Sequence, residues 1–132
     1  MTASFGNSGV LDRFLRYVAI DTQSREGSDT YPSTATQFDL LKVLVEDLRA
    51  VGVTDAALDE HGYVMATIPA TVSDPRVPTI GFIAHVDTSP EMSGKNVRPI
   101  VHCGYQGQDL HLPDDPTAVL RLADNPALAE QL

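Results

Sequence analysis

The chain reads as an α/β protein with a partly parallel sheet flanked by helices, and three observations predict it. The first is Thr79–Asp87, TIGFIAHVD, an apolar run with strand character that ends in a histidine and a carboxylate two residues apart. The second is a long amphipathic pattern beginning near Thr34 and closed by Gly52. The third is a pair of shorter apolar runs, Val53 to Asp59 and Tyr63 to Pro69, set around Glu60, His61 and Gly62. Helical and strand periods alternating along one chain are the pattern of a layered α/β domain.

Taken in order, Met1 to Ser8 is a small polar leader. From Gly9 to Ile20, Val10, Phe14 and Val18 share one helical face with Leu11, Leu15 and Tyr17 beside it, so an amphipathic helix with its apolar face in the core is expected. Asp12 and Arg16, four apart, are expected to pair on the outer side. Asp21 to Ser33 is rich in Ser, Thr, Gly and Asp, which bond their own backbone in competition with helix, and reads as a loop ended by Tyr31-Pro32. Thr34 with Gln37 forms a capping-box signature, and Phe38, Leu41, Val45 and Leu48 recur at helical spacing up to Gly52, a C′ residue.

The second short strand carries apolar residues on both faces, which predicts a central position. Ala70 to Pro78 is a connector. In Thr79–Asp87, side chains two apart share a face, so His85 and Asp87 are expected to emerge together at the carboxyl end, where open α/β sheets bind ligands. Pro90, Gly94 and Pro99 then predict a long loop. Asn125 and Pro126 mark an N-cap and N1 of a helix running to Leu132, which has less than two turns there. The chain is therefore expected to be the amino-terminal part of a longer protein.

Composition bounds the function. Hydrophobic residues at 42% and charged residues at 20% belong to a globular chain rather than a disordered one. A net charge of -9 with scattered Lys and Arg argues against nucleic acid and anionic membranes as partners. No apolar stretch reaches the roughly 20 residues that span a bilayer. The one cysteine, Cys103, excludes an internal disulfide, and with no signal-peptide pattern the expected compartment is the cytoplasm.

Chemistry concentrates at His85 and Asp87. A metal-bound imidazole needs its second nitrogen held by an acceptor, and a carboxylate two residues on can supply it. Other candidates read more plainly. His61 is a solvated turn histidine, Lys95 a solvated charge, and His102, Cys103 and His111 match none of the usual zinc spacings and fit polar strand positions.

The run Gly81–Pro99, GFIAHVDTSPEMSGKNVRP, resembles the peptidase T family of co-catalytic zinc exopeptidases. Its specific parts are His85-Val86-Asp87-Thr88-Ser89-Pro90 and Ser93-Gly94-Lys95-Asn96-Val97. Asp21-Thr22-Gln23-Ser24, Pro32-Ser33-Thr34 and Val64-Met65-Ala66-Thr67 match in the same order. The resemblance covers about Leu11 to Asp109.

It implies a tripeptide aminopeptidase with a catalytic α/β domain, an inserted dimerisation and lid domain, and two Zn2+ ions. The zinc ions are bridged by an aspartate and by a water that a glutamate deprotonates. His85 resembles a histidine ligand of one zinc, and Asp87 the catalytic aspartate that orients it. Residues 1–132 would be the front of the catalytic domain, lacking the other ligands and inactive alone, with the whole protein a homodimer acting on tripeptides. A truncated non-catalytic remnant, or a related dipeptidase or N-acyl amino acid deacylase, are the alternatives. The Ser-Gly-Lys-Asn segment favours peptidase T over those enzymes.

Overall fold

The computed structural model describes residues 9–130, so the polar leader and the last two residues of the expected terminal helix lie outside the described residues. The described residues form two compact units, 9–99 and 100–130.

In the first unit, helix α1 spans Val10–Tyr17 and helix α2 spans Gln37–Ala50. The spacing of apolar residues in α2 produces its buried face: Leu40, Leu41 and Val45 are buried together with Gln37. Val53 N–H bonds Leu48 O at 2.9 Å and Gly52 N–H bonds Arg49 O at 3.0 Å, so the helix ends in a Schellman motif with Gly52 at C′, as expected.

The start of α2 differs from the capping-box reading. Its N-cap is Thr36, with no side-chain cap bond. The Thr34 hydroxyl turns away and donates to Gln23 O at 2.8 Å, because a backbone carbonyl of the preceding loop lies within its reach. Gln37 Nε2 still meets Thr34 Oγ1 at 3.1 Å, so the two residues of the signature do touch.

The apolar face of α1 is also corrected. Val10 is 61% and Phe14 56% exposed, while Leu11, Leu15 and Val18 are half-buried. The docking of α1 is set by polar groups: Arg16 Nη2 and Tyr17 OH both bond Asp47 Oδ2 on α2, which takes Arg16 away from the expected partner Asp12. The hydrogen bond from Tyr17, then the Arg16 guanidinium, holds the Asp47 carboxyl below the usual carboxylate range.

A carboxyl with a depressed folded pKa contributes stability that is complete above its ordinary value and drains away as pH falls through the folded value. Asp47→Asn is expected to cost about 0.5–1 kcal/mol at pH 7, discounted because the pair is partly solvated. The difference from the parent chain should be complete above the ordinary carboxylate range and shrink as pH falls through the lowered folded value of Asp47. Thermal melts of both chains across that range check it.

After α2, β1 (Ala57–Leu58) and β2 (Val64–Met65) pair antiparallel, with Ala57 opposite Met65 and Leu58 opposite Val64. Both are shorter than the expected runs, and Met65 is 70% exposed, so β2 is no central strand. Side chains replace ladder bonds outside this core. Asp55 accepts Thr67 N–H at 3.0 Å, and Asp59 accepts His61 N–H and Tyr63 N–H at 3.0 and 2.8 Å, closing the turn.

Gly62 has φ 85°, and a Cβ there would stand 3.1 Å from Pro32 Cδ and 3.4 Å from Leu41 Cδ1. Conformation and space both demand glycine, so Gly62→Ala should cost about 1–3 kcal/mol in a denaturant titration. Ala56, fully buried, packs at this level, and its carbonyl accepts Arg49 Nη2 at 2.8 Å.

The partly parallel sheet is reduced, among the described residues, to one isolated parallel bridge, Gln23 with Thr88. Residues 79–87 join no ladder, and Phe82 and Ile83 stand 96% and 100% exposed. A strand needs a neighbour along its length, and here the first pairing comes at Thr88, just past its end.

In the second unit, β3 (Leu110–Leu112) and β4 (Asp115–Leu120) form an antiparallel hairpin with a register shift between His111 and Leu112. Arg121 Nε lies 3.5 Å from Asp109 Oδ2 at its open end. A short 3-10 turn, Leu122–Asp124, leads to α3 (Pro126–Ala129), with Asn125 at N-cap and Pro126 at N1 as expected. Asn125 Nδ2 bonds Arg121 O at 2.8 Å rather than capping the helix. No described helix is long and apolar enough to cross a membrane.

Candidate functional site

The short polar motifs scattered along the first unit come together in space. Thr88 N–H donates to Thr22 O at 3.1 Å, and the amide and hydroxyl of Ser24 both donate to Thr88 O at 2.9 Å. Gln23 Nε2 reaches across to Pro90 O at 2.8 Å and Met92 O at 3.1 Å. On the other side, Gln23 O accepts the Thr34 hydroxyl and Gln23 N–H donates to Asp21 Oδ1 at 3.1 Å. Asp21–Ser24, Thr34 and the loop after Asp87 thus form one hydrogen-bonded knot around buried Thr22.

Gly94 closes the knot. A Cβ at this position would stand 2.7 Å from Asp21 Oδ1 and 3.4 Å from Thr88 Oγ1, so any larger residue would displace the Asp21 carboxylate or the loop. Glycine is required here for closeness of approach.

His85 and Asp87 lie immediately before this knot. His85 Nδ1 is 3.0 Å from Asp87 Oδ1 and 3.0 Å from Asp87 O. Both neighbours are acceptors when the carboxyl is ionised, so in the neutral imidazole this geometry places the proton on Nδ1 and leaves the lone pair on Nε2. The His85 side chain is 84% exposed and that of Asp87 45% exposed. The pair is therefore a solvent-facing imidazole with its outer nitrogen available and its inner nitrogen held, the state in which a histidine ligates a metal.

Among the described residues, no group of three or more His, Cys, Asp or Glu is arranged to hold a metal ion. A zinc site takes three or four protein ligands, so His85 with Asp87 fits one corner of such a site and no more. The bystanders stay apart. His61 sits at the β1–β2 turn, exposed, with Nε2 3.7 Å from Glu60 Oε1, a neighbour that sequence reading did not give it. Cys103 is exposed and lies in a turn beside His102, whereas strand positions were expected for both; His111 is in β3. Lys95 N–H bonds Ser93 Oγ at 3.2 Å within the loop.

Sequence reading placed His85 beside Asp87, as the 3.0 Å contact has them, but on a strand that residues 79–87 do not form here, and it missed the parts played by Gln23, Thr34 and Gly94. The signal was present, since all three stand inside the motif matches, but nothing in a one-dimensional pattern says that the matches touch.

Comparison with known proteins bears on the whole chain. It is 52% identical over 120 residues to Peptidase T of Alkaliphilus oremlandii, a stretch that is 90% of this chain and 29% of that protein. To Peptidase T of Clostridium botulinum, strains 657 and Hall, it is 50% identical over 121 residues, 92% of this chain and 29% of each of those proteins. The matched stretch is longer than Leu11–Asp109, so it takes in residues beyond the span on which the motif resemblance was read. No protein-family model matches the chain. The chain spans about three-tenths of the length of the curated relatives it matches, and over nine-tenths of its own length it is a homologue of Peptidase T.

Proposed function

We propose that these residues are the front of the catalytic α/β domain of a tripeptide aminopeptidase, an enzyme that releases the N-terminal residue of tripeptides. The observation that carries this reading is about 50% identity to Peptidase T along nearly the entire chain. The free Nε2 of His85, oriented through Nδ1 by Asp87, supports it from the structure. In this reading His85 supplies one nitrogen to one of two zinc ions and Asp87 fixes its tautomer. When bound, the metals supply Lewis-acid polarisation of the scissile carbonyl and lower the pKa of a water.

The fully exposed Phe82 and Ile83 support a sheet completed from outside residues 1–132: in a parallel α/β sheet both faces of such a strand are covered. The remaining zinc ligands, the bridging aspartate, the general-base glutamate and the lid and dimerisation domain belong to that remainder. The working protein is a cytoplasmic homodimer with no nucleic acid or membrane partner.

Reading the coding DNA past the codon for Leu132 and assaying both lengths tests the proposal. A longer product that cleaves tripeptides, beside a 132-residue chain that does not, is the expected result. Tripeptide cleavage by the 132-residue chain alone, or a longer product that cleaves none, would overturn it.

A further inference from the structure

The geometry points to Gln23 as a positioning residue that holds the loop after Asp87 and so fixes how His85 and Asp87 face each other. The inference rests on the proposed function for what the pair is for, but not for how the pair is held. Its basis is that residues 79–87 join no ladder among the described residues, so the run carrying His85 and Asp87 is not located by strand pairing along its length. The chain is gripped just afterwards. Thr88 is held through backbone groups of Thr22 and Ser24, and the carbonyls of Pro90 and Met92 are held by the two protons of one side-chain amide, Gln23 Nε2.

The backbone that carries this amide is itself held. The backbone carbonyl of Gln23 accepts from Thr34, its backbone N–H donates to Asp21 Oδ1, and Asp21 is backed by Gly94 at the far end of the same loop. A primary amide suits the position because it offers two donors in a fixed plane to two carbonyls, which a hydroxyl or carboxylate cannot do. The link to the pair is Asp87 itself, whose carbonyl and carboxylate both accept from His85 Nδ1. Any swing of the loop at Thr88–Met92 turns the Asp87 peptide and offers the imidazole proton a different partner.

The test uses the 132-residue chain and reads the ring nitrogens of His85 by NMR at a pH where all four imidazoles are neutral, with His61, His102 and His111 as internal references. In the parent chain, the proton should reside on His85 Nδ1. In Gln23→Met, nearly the same shape without donors, His85 should move to a mixture of the two tautomers while the other three rings stay unchanged.

Unchanged His85 ring signals in a folded Gln23→Met chain would overturn the assignment. Thr34→Val is the control, since it frees the Gln23 carbonyl but spares the side-chain amide; a His85 change as large there would also overturn it, as general loosening would explain both. If Gln23→Met does not fold, the parent chain decides. Gln23 side-chain amide protons exchanging about tenfold more slowly than those of exposed Gln106 support the clamp, and equal rates refute it. Peptidase activity enters none of these readouts. A tautomer shift combined with an inactive longer protein would refute the proposed function and leave the clamp standing.

Discussion

Leu41→Ala is expected to destabilise the chain by about 2–5 kcal/mol and to broaden or abolish its cooperative melting transition. Leu41 is 3% exposed on α2, and its Cδ1 lies against Gly62 at the β1–β2 turn, close to Pro32. It joins the helix, the hairpin and the loop in one contact region. Among the described residues, the buried apolar set is Leu40, Leu41, Val45 and Ala56, and Ala56 contributes little side-chain area. Removing one of three sizeable members leaves a cavity that neighbours with so few buried atoms cannot fill.

A domain of this size holds about 5–15 kcal/mol in total, and one with so thin a core belongs near the lower end. The loss is thus comparable to the whole stability. Differential scanning calorimetry and urea titration check it. A change below about 1 kcal/mol would mean that Leu41 is not central to the core.

The legibility of the sequence follows the range of the forces involved. Helix α2 was readable to its C′ glycine because periodicity, termination and burial are all set within a few residues of each other. The α1 docking was not, since it depends on Tyr17 and Arg16 finding Asp47 thirty residues away. Strand character in Thr79–Asp87 was equally clear from composition, yet a ladder requires a second strand, and sequence composition cannot supply one. The β3–β4 hairpin went unread because Pro113, Asp114 and Pro116 look like loop, although Pro113 and Asp114 make the tight turn between Leu112 and Asp115.

At the site, the His85–Asp87 pair was legible because two residues apart fixes its geometry under almost any extended backbone. The knot around Thr22 was not, because it joins residues more than sixty positions apart through side-chain amides and hydroxyls. Short polar motifs carry identity in the sequence and geometry only in the fold.

In a product extended to the length of its relatives, Asp87→Asn should lower kcat/KM by about 10–100-fold, and His85→Ala should lower it by more than that. The ranking follows from the contacts. Removing His85 deletes the only nitrogen donor of this pair that faces outward. Exchanging the Asp87 carboxylate for a carboxamide leaves a side-chain oxygen able to accept from Nδ1, and leaves the backbone carbonyl of that residue untouched at 3.0 Å. The amide weakens the grip on the ring without abolishing it.

Zinc content measured beside the kinetics separates the roles. His85→Ala should lose metal, while Asp87→Asn should retain most of it and lose rate through a misoriented ligand. Equal zinc losses in the two variants would mean that Asp87 holds the metal itself rather than only orienting the imidazole, and a rate loss in Asp87→Asn as large as in His85→Ala with zinc fully retained would mean that it acts on substrate or solvent. Wild-type activity in His85→Ala would remove the histidine from the metal centre altogether, and with it the part of the proposal that rests on this chain's own chemistry.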